Sequence, residues 1–318
     1  MANNPHVSLY RPDSLPAQYD VGIAAVGFEA RARFVAENLH PDARIRLACA
    51  FPDRKVLSYQ DNIDWYSRNG YKTEEVPDEP FGVWCGEVLR NIRQTGSGQL
   101  RIWVDISSLS RFRIAALVDT FRSFDATPVL HIDFLYSLAK SSPPPRGFVP
   151  NAHVGPVLPS FAGWPTDPDR PPAAIVGLGY EQDKALGAVE HIQASLVWLF
   201  KPLSSEAGYA EWQVDANKTL LEDVPRGRQL EYPVEQPLDC FVKLESLIYR
   251  LAQTENVVMF PFGPKIFALN CLLVGCLHTT AAVWRVSPGT AEEAVQRFPN
   301  GEICGLSVRF IREPTSEE

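Results

Sequence analysis

The stretch Met259-Phe-Pro-Phe-Gly-Pro-Lys-Ile-Phe-Ala-Leu-Asn-Cys-Leu-Leu-Val-Gly275 decides the fold. An apolar run, Val257 to Phe260, breaks at Pro261, Gly263 and Pro264, and Lys265 then opens an apolar, helix-like stretch. This reads as strand, tight turn, helix start. Such a junction directs several backbone N–H groups and the positive end of a helix dipole at one place, and a cation there adds to the pull on an anion. An earlier stretch, Arg101-Ile-Trp-Val-Asp-Ile-Ser-Ser-Leu-Ser-Arg-Phe-Arg-Ile-Ala-Ala-Leu-Val118, has the same shape. Asp105, Ser107 and Ser108 fill its turn, and Arg111 and Arg113 supply cations. The two junctions read as corresponding parts of a duplicated fold.

Working outward from them, short apolar runs alternate with helical patterns. Val21–Val26 reads as a buried strand followed by a helix over Ala30–Leu39, and Ile45–Phe51 reads as a second strand. A partly helical region, Tyr59–Tyr71, and a helix over Val83–Ile92 lead to the strand Ile102–Val104. The helix Arg111–Phe124 and the strand Val129–Tyr136 close this half, while residues 1–19 read as an irregular lead-in. Between Lys140 and Ala173 ten prolines accumulate without periodicity, which predicts a surface connection. The pattern then restarts. Gly177-Leu-Gly179-Tyr180-Glu181 echoes Gly27-Phe28-Glu29, and Leu196–Phe200, Tyr209–Leu221, Phe241–Leu251 and Ala281–Val286 follow in the same order as their counterparts. The fold class expected is α/β, with two Rossmann-like parallel-sheet halves related by internal duplication. The division expected is 1–142, a Pro-rich linker over 143–173, and 174–318.

With 318 residues the chain is long enough for two domains, each with its own core. A hydrophobic fraction of 45% and a net charge of −8 describe a globular protein without the basic face that duplex DNA requires. The longest apolar stretch, Ile266–Leu277, is too short to span a bilayer, and the first residues lack a signal-peptide pattern. The six cysteines show no C-x-x-C and no Cys/His ligand spacing, which predicts buried reduced thiols in a cytoplasmic protein with no metal site and no cofactor.

The residues that bear chemistry gather at the strand-to-helix turns, where open α/β sheets bind ligands. Gly27 permits a sharp bend or a close approach, and Glu29 beside Arg31 and Arg33 is either a dipole partner of the helix or a site residue. Gly179 and Glu181 carry the same two readings, and G-x-G-x-x-G is absent from both turns. Asp105 at a strand end, Ser107, Ser108 and Arg111 suit a phosphate or ribose, although Ser107 or Ser108 alone would serve as a helix cap. Gly263, Pro264 and Lys265 form the sharpest feature: a lysine facing the positive helix end calls for an anion or a carboxylate such as Glu181. Asn62, Asn69 and Asn217, near Tyr59 and Tyr209, line the clefts or lie on helix surfaces, and His131 and His191 read as structural. No G-x-S-x-G, H-E-x-x-H or Walker loop is present.

The Gly263-Pro264-Lys265 turn in one half, set against Asp105–Arg111 in the other, resembles the ligand-sensing domains called CRISPR-associated Rossmann-fold domains and their fused relatives in bacterial antiphage signalling. The chain departs from that family in lacking a threonine before the lysine and any attached nuclease or protease domain. The resemblance implies a nucleotide or other phosphate-bearing small molecule as ligand, a protein effector as partner, and a role in defence. On the residues themselves, the expectation is a ligand-binding module in which the halves face each other and the Asp105 and Lys265 junctions line a shared cleft. The alternatives are a nucleotide hydrolase or glycosyl-transferring enzyme using Asp105 or Glu29 as acid, base or nucleophile, and a protein-interaction scaffold.

Overall fold

The apolar runs become strands buried on both faces: Val21, Ile23, Ala24, Ala25 and Val26 expose 1% of their surface or less, as do Ile102, Trp103 and Val104. A computed structural model describes residues 4–12, 18–93, 98–125, 128–143, 151, 153–164, 167–287 and 294–311. The chain forms two units, one running to Ala139 and resuming at Gln296, the other comprising Lys140–Val295.

The first unit opens with β1 (Pro5–Leu9) and β2 (Tyr19–Val26), followed by a 3-10 turn at Ala30–Arg33 that continues as α1 (Phe34–Leu39). Then come β3 (Ala43–Ala50), α2 (Tyr59–Arg68), β4 (Lys72–Glu75), α3 (Phe81–Arg93), β5 (Gln99–Asp105), α4 (Arg111–Ser123) and β6 (Val129–Ala139). The second unit contains β7 (His153–Pro156), β8 (Pro172–Gly177), α5 (Lys184–His191), β9 (Leu196–Leu203), α6 (Tyr209–Ala216), α7 (Lys218–Asp223), β10 (Gln229–Pro233), α8 (Pro237–Leu251), β11 (Asn256–Pro261), α9 (Lys265–Leu277) and β12 (Ala282–Ser287). The final strand, β13 (Pro299–Ile311), returns to the first unit.

The seven-stranded sheet runs β1-β13-β6-β5-β2-β3-β4 and the six-stranded sheet β10-β9-β8-β11-β12-β7. In the first, β4, β3, β2, β5 and β6 are parallel, and β13 joins β6 antiparallel. In the second, β10, β9, β8, β11 and β12 are parallel, and β7 joins β12 antiparallel. Each parallel core therefore has its first strand beside its fourth. Strand order reverses between β2 and β5, and between β8 and β11, and a reversal of this kind opens a crevice at the carboxyl ends of the strands.

Several elements depart from the sequence reading. The lead-in contains a strand, β1, paired with β13 from the far end of the chain. The C-terminal segment belongs to the first unit, and β7 within 143–173 is a strand of the second sheet. Residues 144–150, 152, 165 and 166 of that stretch lie outside the described residues. Of these, β1 and β7 are edge strands, as is β4, and edge strands lack the continuous apolar signature of buried ones: β4 reads Lys-Thr-Glu-Glu, with no residue fully buried. Long-range pairing, which no local pattern encodes, sets where β13 goes.

All six cysteines are buried, and none is in a disulfide. Burial pushes the Cys85 and Cys240 thiols up to about 12. Among the described residues no helix is long and apolar enough to cross a membrane.

Candidate functional site

The loop after β2 carries Gly27-Phe28-Glu29, and a buried side chain fixes its path. Asn62, fully buried in α2, donates from Nδ2 to the carbonyls of Gly27 (2.9 Å) and Glu29 (2.8 Å). Gly27 must be glycine because a Cβ there would lie 2.7 Å from Cβ of Ser108, in the turn after β5. The first and fourth strands thus bring Gly27 and Ser108 together at the point of strand reversal.

Glu29 is buried and ion-paired, its Oε2 lying 2.6 Å from Nε of Arg31. Arg297 approaches the other carboxylate oxygen at 4.0 Å. Arg31 also donates to the carbonyl of Ser137 (2.9 Å) and to the hydroxyl of Tyr136 (3.3 Å). Burial opposes its charge, but Glu29 and Tyr136 outweigh that and raise its affinity for the proton. The carboxylate at Glu29 is therefore matched by protein cations.

Asp105, 1% exposed, ends β5 and accepts the backbone N–H of Ser107 (2.8 Å). Ser107 accepts the N–H of Ser137 on its hydroxyl (2.8 Å), stitching the turn to β6. The expected capping role falls to neither Ser107 nor Ser108. Ser110 caps α4 by accepting the N–H of Arg113 (3.1 Å), since only its place immediately before the helix lets a side-chain oxygen reach the third helical N–H. Arg111 stands at the first position of α4, partly buried. Arg113 is no cation of this turn. Fully buried, it bonds Asp78 (2.6 Å) and the carbonyl of Val76 (2.6 Å), with its guanidinium 3.6 Å from the centre of the Phe51 ring.

The second unit repeats the arrangement. Gly179-Tyr180-Glu181 follows β8, and Asn217, 4% exposed at the end of α6, donates from Nδ2 to the carbonyls of Gly179 (2.7 Å) and Gln213 (2.8 Å). A Cβ on Gly179 would collide with the Glu181 carboxylate and stand 3.0 Å from the backbone nitrogen of Gly263. Gly263 has φ +71°, and a Cβ there would collide with the carbonyl of Leu178. Its left-handed conformation and this close approach both demand glycine. Pro264 precedes α9, and Lys265 is the first helical residue. The tripeptide pattern Gly-aromatic-Glu, clamped by a buried asparagine and pressed against the turn after the fourth strand, thus occurs once in each unit.

Of the residues singled out in the sequence, Gly27, Glu29, Asp105, Ser107, Ser108 and Arg111 gather in the first unit, and Gly179, Glu181, Gly263, Pro264 and Lys265 in the second. Asn62 and Asn217 are loop clamps rather than cleft walls, and Asn69 is exposed, bonding the carbonyl of Trp65 (2.8 Å). The sequence reading did not pick out Gln296, which accepts the N–H of Ala30 (2.8 Å) and donates to the hydroxyl of Ser58 (2.8 Å). Nor did it pick out Gln213, buried to 3% exposure. Neither has a local motif.

A separate polar cluster crosses the first sheet. Asp133 on β6 accepts from Tyr19 (2.6 Å) and from Ser307, and His131 lies 3.4 Å away. Burial opposes ionisation of Asp133, but hydrogen bonds from His131, Ser307 and Tyr19 prevail and hold its carboxyl below the usual range. Tyr10 nearby is pushed up to about 12 by burial and by the charge of Asp133.

Among the described residues no group of three or more His, Cys, Asp or Glu is placed to hold a metal ion. No protein-family model matches the chain, and no curated protein matches it.

Proposed function

We propose that the protein is a binding module of the sensor type for a nucleotide or another phosphate-bearing small molecule. The observation that carries this reading is the repeated loop: in both units Gly-aromatic-Glu, held by a buried asparagine, meets the turn after the fourth strand where strand order reverses. The shared strand order and the shared clamp also support an origin by internal duplication. Backbone N–H groups at Gly263 and Lys265, the Lys265 ammonium and the dipole of the 13-residue α9 would attract phosphate in the second unit. Residues 107–109 and Arg111 offer the same chemistry at α4. The resemblance to CRISPR-associated Rossmann-fold domains extends the proposal to antiphage signalling through a protein effector.

An acid–base role for Glu29 is disfavoured, because a carboxylate bonded at 2.6 Å to a buried arginine is a poor proton acceptor. The test is to incubate the pure protein with mono-, di- and cyclic nucleotides and NAD, and to identify by mass spectrometry what it retains. Retention of an unchanged compound, weakened in Lys265→Ala, is the expected result. Conversion to product would replace the sensor by an enzyme, and a Lys265→Ala variant equal to the parent would remove the phosphate role of that turn.

A further inference from the structure

The two loops differ in what fills them. In the first unit the chain fills its own loop. The side-chain amide of Gln296 accepts the N–H of Ala30 and, at 3.2 Å, that of Arg297, and it donates to Ser58. The carbonyl of Arg297 accepts the N–H of Arg31 (3.2 Å), and its guanidinium faces Glu29. Ser58 lies one helical turn before Asn62 and donates its own N–H to the carbonyl of Phe28 (3.1 Å).

In the second unit the corresponding groups stand open. Glu181, partly exposed, makes no hydrogen bond or ion pair with its side chain among the described residues. Gln213 lies one turn before Asn217, and its Nε2 is buried without a partner. The carbonyls of Gln213 and Gly179 meet at the same nitrogen, Nδ2 of Asn217, and the Glu181 carboxylate folds back over Gly179. A buried amide donor left unsatisfied costs stability, and its place on a residue that shares the Asn217 clamp with the Glu181 loop suits a site completed from outside.

Resting on the reading above, we infer that one ligand binds per chain, at the first loop of the second unit, and that it presents an amide-type edge there. Its acceptor takes the Nε2 hydrogen of Gln213 and its adjacent donor faces Glu181. In the first unit the carboxamide of Gln296 occupies the loop with the opposite polarity, accepting from Ala30 and donating to Ser58. Nucleobases and the nicotinamide carboxamide carry such an edge; a bare sugar phosphate does not.

The probes are the four common ribonucleoside monophosphates, nicotinamide mononucleotide and ribose 5-phosphate, titrated calorimetrically against the full chain. The expected result is one site per chain for at least one amide-edged probe, with ribose 5-phosphate, Glu181→Gln and Gln213→Met each weakening binding about tenfold or more. Gln213→Met removes an unsatisfied group and keeps the side chain's length, so its melting temperature should equal or exceed that of the parent. Equal affinity for ribose 5-phosphate would overturn the amide edge while leaving the phosphate reading standing. Two sites per chain, or nucleotide binding untouched by both substitutions, would overturn the placement. A lower melting temperature for Gln213→Met would make that residue structural and remove it from the site. Binding of no probe would defeat this inference and the phosphate reading together.

Discussion

Asn62 is the residue whose replacement tests the loop architecture most directly. Its Nδ2 holds two backbone carbonyls, those of Gly27 and Glu29, at 2.9 and 2.8 Å in a fully buried position. In Asn62→Ala both bonds are lost; the buried carbonyl of Gly27 is stranded, at roughly 1–3 kcal/mol, while that of Glu29 keeps the N–H of Ala32 and loses about 1 kcal/mol. The Oδ1 atom has no partner, and its removal offsets about 1 kcal/mol of this loss. The net cost to the first unit should be about 1–3 kcal/mol. Asn62→Asp keeps the shape but turns a donor into a charged acceptor facing two carbonyls, so it should cost more than alanine. Hydrogen exchange read on peptides covering residues 27–33 and 58–66 gives a unit-specific measure, which a whole-chain melt of a two-unit protein does not. At about 1.4 kcal/mol per decade, protection there should fall roughly 5- to 150-fold in the alanine variant. Protection within threefold of the parent, or an aspartate variant no worse than alanine, would refute the clamp.

Gly263→Ala should destabilise the second unit by about 2–4 kcal/mol, since φ of +71° and the collision with the carbonyl of Leu178 act together; a urea midpoint unchanged from the parent would contradict this. Asp133→Asn should cost about 1–3 kcal/mol at neutral pH, where the ionised carboxylate accepts from Tyr19 and Ser307 with His131 and Tyr10 nearby. Because the folded carboxyl titrates below its unfolded value, that stability is present above about pH 4 and is lost as pH falls through the folded pKa. Unfolding curves of parent and variant should therefore converge in acid, and a gap that widens there would reverse the assignment.

The parallel cores were legible because strands buried on both faces must be written as unbroken apolar runs, and Val21–Val26 and Val257–Phe260 are such runs. The turns were legible for a related reason: at Gly27, Gly179 and Gly263 a side chain would meet Ser108, Glu181 or the carbonyl of Leu178, so glycine marks each one. What stayed hidden is what distance in sequence conceals. Gln296 reaches Ala30 across 266 residues, and Ser307 reaches Asp133 across 174. Arg113 reads in the sequence as a cation of the Asp105 turn because helix position alone does not reveal that Asp78 and the ring of Phe51 enclose it. The strand β13 does alternate, with Cys304, Leu306, Val308 and Phe310 buried, and this period of two was the one signal available for it.

The difference between the two loops bears on how an arrangement present in both units would serve a single proposed ligand. In the first unit, Glu29 is matched by two arginines, Ala30 and Arg31 by Gln296 and Arg297, and Ser58 by Gln296, while Asn62 Oδ1 and Ser108 Oγ are buried without a partner among the described residues. Such matching stabilises the unit and leaves the matched groups no reason to bind. In the second, the buried amide nitrogen of Gln213 has no partner among the described residues and costs stability. A buried donor left unsatisfied where the other unit matches its counterpart, Ser58, is better explained by a missing occupant than by poor packing. On this argument the first loop anchors the returning end of the chain, and the second is where the proposed ligand would be recognised.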